Sequence, residues 1–234
     1  MRYDFGSWRI QEREHMGFQG AIFDMDGTLL DTLTDIAEAA NDALAELKFP
    51  TFPVEDYRYF VGDGVKVLMA RLLPQEFEQN EEVHEKFLQL YSKYYSQKWN
   101  QNTQPYRGIP ELLNILQQKN FRLGILSNKP HAFTVKCAEK ILADWKFDFI
   151  LGQKDEIPRK PDPAGAIIIR DAWSLSSSEI LYFGDTGTDM LTAKRAGFYA
   201  LGVTWGFRPE DELREAGADL IIHHPLDVLS LLDS

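Results

Sequence analysis

The chain has 234 residues, 44% of them hydrophobic and 12% aromatic, enough for one sizeable packed domain or a core carrying an insertion. A formal net charge of −11 argues against a sequence-independent nucleic-acid binder, whose affinity comes from basic residues on phosphates, and requires any anion site to be local and cationic. A single cysteine, Cys137, excludes an internal disulfide and a multi-cysteine metal site, and its apolar helical surroundings make it a small buried hydrophobe.

In chain order, residues 1–17 read as an irregular extension, with Met16 an alternative start. Ala21-Ile22-Phe23 is a short apolar run ending at Asp24, the pattern of a buried parallel strand. From 32 to 104 the pattern is helical throughout, with turns at Phe49-Pro50-Thr51-Phe52-Pro53, Gly62-Asp63-Gly64 and Pro74. A helix is predicted at 110–119, with Leu112, Leu113, Ile115 and Leu116 on one face and Pro110 in its first turn. Further strands are predicted at 121–126, 147–151, 180–183, 199–203 and 219–222, and a helix at 188–196 closed by Gly197. Strands alternating with helices imply an α/β fold with an open, mostly parallel sheet, its core domain formed by 18–31 and 105–234, and residues 32–104 inserted as an all-helical cap. Ligands of such sheets bind beyond the carboxyl ends of the strands.

Four polar motifs fall at those ends. Asp24-Met25-Asp26-Gly27 places two carboxylates where one can attack phosphorus and the other handle the leaving-group proton, although a polar turn capping a helix has the same look. Ser127-Asn128-Lys129-Pro130 offers a hydroxyl and backbone amides to a phosphoryl oxygen, or an ordinary helix N-cap. Lys160-Pro161-Asp162-Pro163 presents a point charge on a stiff loop, or a solvated lysine. In Gly184-Asp185-Thr186-Gly187-Thr188-Asp189, Asp185 and Asp189 match a hard-cation site, with helix capping by Asp189 the alternative. Each signal is modest alone, but together they supply what phosphoryl transfer needs.

With those motifs in that order, the chain from about Phe18 to its end resembles the haloacid dehalogenase superfamily. The resemblance implies a Rossmannoid parallel-sheet core with an inserted helical cap, Asp24 as the nucleophile that becomes an aspartyl phosphate, and Asp26 as general acid/base. It implies phosphate binding by Ser127, Asn128 and Lys160, and Mg2+ held by Asp185, the Asp24 carboxylate and the Asp26 carbonyl, with Asp189 on a water of the metal or on Lys160. The opening from Phe23 to Thr32, Asp35-Ile36, Phe60-Val61-Gly62-Asp63-Gly64, Pro105-Tyr106-Arg107-Gly108 and Gly202-Val203-Thr204-Trp205-Gly206 resemble the phosphoglycolate phosphatase group, with Arg107 and Ser127 as small departures. The expected substrate is thus 2-phosphoglycolate or a similar small phosphoester. A sugar phosphomutase, a pyrophosphatase or nucleotidase on the same core, and a catalytically silent binding module are the alternatives.

In the cap, Gly62, Gly64 and Lys66 mark the expected substrate-facing turn, with Lys66 or Arg71 as partners for a substrate carboxylate. Tyr94, Tyr95 and Trp99 read as cap packing rather than a ligand platform. No apolar run approaches the roughly 20 residues that span a bilayer, and residues 9–15 are charged where a signal peptide would be apolar. Neither a membrane nor nucleic acid is therefore an expected partner. The expected location is the cytoplasm and the expected state a monomer or homodimer.

Overall fold

The apolar run ahead of Asp24 becomes β1 (Gly20–Phe23), a central strand with all four residues buried. The computed structural model describes residues 17–232, so all but the last residue of the N-terminal extension lies outside the described residues. After β1 come β2 (Leu30–Asp31), α1 (Leu33–Glu46), α2 (Tyr57–Phe60), α3 (Val65–Leu72), α4 (Glu81–Lys98) and β3 (Gln104–Pro105). The chain continues through α5 (Ile109–Gln118), β4 (Arg122–Pro130), α6 (His131–Ile141), β5 (Phe149–Gln153), α7 (Ala164–Trp173) and β6 (Ile180–Gly184). It ends with α8 (Gly187–Ala196), β7 (Tyr199–Val203), α9 (Glu210–Glu215), β8 (Leu220–Ile222) and α10 (Leu229–Leu232). Among the described residues no helix is long and apolar enough to cross a membrane.

Six strands in the order β5-β4-β1-β6-β7-β8 form one wholly parallel sheet. Side chains alternate along a strand, so Ala21 and Phe23 face one side of the sheet and Ile22 the other. On the first side Phe23 stacks on Phe183 with ring centroids 4.4 Å apart, in one core with Leu112 and Leu116 of α5 and Cys137 of α6. On the second, Ile22 and Tyr182 share a core with Ile169 of α7 and Met190 of α8. Both faces are covered, as a parallel sheet requires, and each fully buried large apolar side chain contributes about 1.5–3 kcal/mol. Phe23 pairs in register with Ile125 of β4 and Phe183 of β6. The polar residues just beyond therefore leave the sheet at one end.

The strand predicted at 121–126 is longer than expected. β4 runs on to Pro130, and its pairing with β5 shifts register between Leu126 and Pro130. Proline biases the residue before it toward extended backbone, so Pro130 keeps Lys129 out of a helix and α6 starts only at His131. Ser127, Asn128 and Lys129 thus sit on an irregular strand extension, not at the start of a helix, and all three are buried.

Between β2 and β3 the chain is helical, and the two short strands pair antiparallel, Leu30 with Pro105 and Asp31 with Gln104. That pairing brings the two ends of the insertion together. Beside it, the fully buried Asp35 of α1 accepts bonds from the Asn102 and Thr103 backbone N–H groups at 2.9 Å each. It also accepts from Asn102 Nδ2 at 2.9 Å and Thr103 Oγ1 at 2.6 Å. An acceptor at the centre of four donors is costly to lose. Asp35→Asn, which turns an amide against those donors, is expected to destabilise the fold by about 3 kcal/mol and to lower the thermal midpoint by roughly 6–12 °C. Calorimetry would check it, and an unchanged midpoint would show that the knot carries no stability.

Candidate active site

The backbone ladder of β1 reaches one residue past the strand, where Asp24 N–H donates to the Phe183 carbonyl at 2.9 Å. The Asp24 side chain is buried there, and Lys160, also buried, places Nζ 2.8 Å from its Oδ1. The same ammonium lies 2.6 Å from Asp189 Oδ1 and donates to the Leu126 carbonyl at 3.1 Å. Asp189 Oδ2 accepts from Thr186 Oγ1 at 2.6 Å and caps α8. Asp189 thus both pairs with Lys160 and caps α8, one role on each oxygen.

Asp185 is fully buried and accepts from Thr28 Oγ1 at 3.0 Å and from Phe207 N–H at 2.8 Å. Close backbone approach makes this possible. Gly27 has φ +90°, and a Cβ on it would stand 2.2 Å from Asp185 Oδ2. A Cβ on Gly206 would stand 2.3 Å from Asp185 Cβ.

Asp24, Asp185 and Asp189 each offer an oxygen within 4.8 Å of the others. Three buried carboxylates facing one lysine hold more negative than positive charge, and the proton affinities register it. Burial, opposed by Lys160 and assisted by Asp189, raises Asp24 from the ordinary 3.8 to about 7. Burial and then the charges of Asp189 and Asp24 push Asp185 well above the usual carboxylate range. Lys160 and Lys129 stay firmly protonated, since neighbouring carboxylates outweigh the opposing effect of burial. An all-oxygen, charge-deficient donor set of this kind fits a hard divalent cation.

Asp26 lies apart from that cluster. Its carboxylate receives Lys129 Nζ at 2.9 and 3.0 Å, and it opens with Asp24 and Ser127 onto a cleft of about 270 Å³ between the sheet end and the helical insertion. Ser127 lines the cleft directly. Asn128 does so too, but its amide is engaged: Oδ1 accepts from Lys160 N–H at 2.9 Å, while Nδ2 donates to the carbonyls of Lys160 and Gly62 at 3.2 and 3.1 Å. Asn128 therefore fixes the Lys160 loop and ties it to the insertion.

Gly62 and Gly64 line the cleft as expected, but Lys66 does not. It stands exposed because α3 turns Leu68, Met69 and Leu72 inward. Arg71 is held by Asp63 at 2.6 Å and the Phe60 carbonyl at 3.0 Å, also outside the lining. Tyr95 corrects the reading of the aromatic cluster: it lines the cleft together with Tyr91, whereas Trp99 is packing. Phe87, Tyr91 and Tyr95 recur every four residues on α4, a spacing that announces one buried face but not a cleft behind it. Lys129 also lines the cleft, held there by an Asp26 contact that its local motif does not signal. Cys137 is buried as expected, its thiol pushed up to about 11 by that burial.

This sheet, with its acidic cluster at the strand ends and a helical insertion across the cleft, belongs to the haloacid dehalogenase-like hydrolase family, whose model matches residues 21–203. A phosphoglycolate phosphatase of Vibrio parahaemolyticus is 30% identical over 214 residues, covering 90% of this chain and 94% of that protein. Another, from Aquifex aeolicus, is 29% identical over 213 residues, covering 91% and 96%. The crystal structure of a predicted phosphoglycolate phosphatase from Haemophilus somnus superposes with a TM-score of 0.86 at 25% identity, covering 92% of this chain and 98% of that one. The chain is thus a phosphoglycolate phosphatase-like hydrolase of that family.

The raised carboxylates set a pH dependence. Asp24, near 7 when folded against 3.8 in a free chain, stabilises the metal-free fold fully below about pH 4, and that contribution is lost as pH rises through about 7. In the presence of a chelator the thermal midpoint is therefore expected to fall between pH 6 and pH 8, and a divalent cation is expected to restore it. Asp185→Asn should shrink both effects. A midpoint indifferent to chelator and to this substitution would remove the cation from the site.

Proposed function

We propose that this chain is a magnesium-dependent phosphomonoesterase that works through an aspartyl phosphate on Asp24, with 2-phosphoglycolate or a similar small phosphoester as its substrate. The observation that carries the reading is the meeting of Asp24, Asp26, Ser127, Lys160 and Asp185 at one end of the sheet, with Asp24 and Asp26 open to one cleft. The relatives named phosphoglycolate phosphatase support the substrate class.

Asp24, Asp185 and the Asp26 carbonyl would hold Mg2+, which when bound supplies positive charge that draws the phosphoester to the nucleophile and offsets charge developing on phosphorus. An Asp24 carboxylate oxygen attacks phosphorus in line, and the bond from phosphorus to the organic oxygen breaks. Lys160 and Ser127 support the phosphoryl oxygens. Asp26 gives its proton to the departing oxygen, so an alcohol leaves rather than an alkoxide. Asp26 then takes a proton from water as that water attacks the aspartyl phosphate, and inorganic phosphate and the Asp24 carboxylate are regenerated. The pairing of Asp189 with Lys160 keeps the ammonium in place through both steps. Residues 32–104 would act as a cap on the core of residues 18–31 and 105–234, excluding water and shaping the space for the organic group.

Phosphate release from 2-phosphoglycolate with magnesium is expected to fall by about 10³-fold or more in Asp24→Asn, and to vanish in chelator-treated wild type. Activity surviving in Asp24→Asn would mean that another group is the nucleophile. Asp26→Ala should slow an alkyl phosphate by about 10²–10⁴-fold but p-nitrophenyl phosphate by less than about tenfold, because an activated leaving group needs no proton. Equal losses on both esters would count against the acid role.

A further inference from the structure

Lys129 is the one cationic side chain among the described residues that line the cleft. Lys160 does not line it, and its ammonium serves Asp24, Asp189 and the Leu126 carbonyl at the phosphoryl end of the site. Lys66 is exposed and Arg71 is bound to Asp63. The wall contributed by the insertion is largely apolar, with Val65, Leu68 and Leu88 facing the cleft. An anionic group on the organic part of a substrate would therefore be buried against hydrocarbon unless Lys129 received it.

We propose that Lys129 is the specificity-determining residue for a carboxylate on the organic part of the substrate, leaving Asp26 to bind that carboxylate when the cleft fills. The assignment rests on the phosphomonoesterase reading above and narrows its substrate class to small phosphoesters of carboxylic acids.

Position supports this. Nζ of Lys129 lies beside both Asp26 oxygens, at 2.9 and 3.0 Å, next to the group that protonates the leaving oxygen. A carboxylate one carbon from that oxygen falls within reach of the same ammonium. A second donor stands by: Tyr95 is 2% exposed, lines the cleft, and its hydroxyl has no hydrogen-bond partner among the described residues. The Tyr95 ring lies 4.8 Å from Lys129 Nζ, which holds the ammonium on this side of the cleft. A carboxylate with one oxygen on Lys129 and the other on the Tyr95 hydroxyl would have both oxygens met.

The test compares wild type, Lys129→Met and Lys129→Arg on 2-phosphoglycolate, ethyl phosphate and p-nitrophenyl phosphate, all with magnesium. Wild type is expected to prefer 2-phosphoglycolate over ethyl phosphate by about 10²-fold in kcat/KM, the scale of one buried charge pair. In Lys129→Met that preference should fall below about fivefold, mainly through KM, while Lys129→Arg keeps most of it. Equal losses on both alkyl esters in Lys129→Met would leave the preference intact; Lys129 would then only position Asp26, and the assignment would be overturned. The wild-type comparison stands even if Lys129→Met does not fold, since a wild type without the preference also overturns the assignment. In that case, turnover of p-nitrophenyl phosphate that disappears in Asp24→Asn leaves the phosphatase reading intact. Absence of turnover on all three esters would sink both.

Discussion

Three carboxylates buried within 4.8 Å of one another, with one ammonium among them, are the constraint from which the rest of this molecule follows. Isolated buried charge of that density would unfold a domain of ordinary stability. It persists here because almost every oxygen is answered: Asp189 by Lys160 and Thr186, Asp185 by Thr28 and the Phe207 amide, Asp24 by Lys160. The elevated proton affinities of Asp24 and Asp185 record the deficit that remains. A buried site left short of positive charge is suited to receive a cation.

The sheet and the insertion divide the work. Strand ends carry the groups proposed to react, and the parallel core behind them is packed on both faces, so their positions have little freedom. The insertion supplies the opposite wall and is attached both by apolar packing, with Tyr95 against Phe133 at 4.9 Å, and by polar contacts. Asn128 reaches the Gly62 carbonyl, Thr188 donates to Asp63, Arg208 to the Val61 carbonyl, and Arg58 to the Gly206 carbonyl. All are concentrated on the turn around Gly62 or the glycine packed against Asp185. The Asp35 knot and the β2–β3 pair tie the two ends of the insertion at its base.

Each wall also has its own chemistry. Lys129 and Asp26 form a near-neutral pair at the core side, while Leu68, Leu88 and Val65 face them. The apolar wall offers no charge to an anionic group, so the proposed roles of Lys129 and Asp26 would place recognition and proton transfer on neighbouring atoms.

Much of this was legible in the chain before folding. An apolar run of three residues ending in Asp-x-Asp-Gly, and equivalent polar residues after three further runs, are local patterns. Their chemistry follows because strands of a parallel sheet all end on one side. What stayed hidden was settled by neighbours distant in sequence. Ser127 could be read as a helix cap, and only Pro130 together with the β5 partner keeps it on a strand. Lys66 and Lys129 look alike as lysines in polar motifs, yet the apolar face of α3 turns one to solvent and the Asp26 carboxylate holds the other in the cleft. Tyr95 shares its helical stripe with Phe87, and the stripe shows burial without showing that a cleft lies beside one end of it. The sequence by itself determined the candidate groups, because the carboxylates, hydroxyl and lysine proposed to react are set by residue type at each strand end. The tertiary structure alone decided which charges meet in the cleft, because that depends on contacts such as Lys129 with Asp26, separated by 103 residues, which no local pattern encodes.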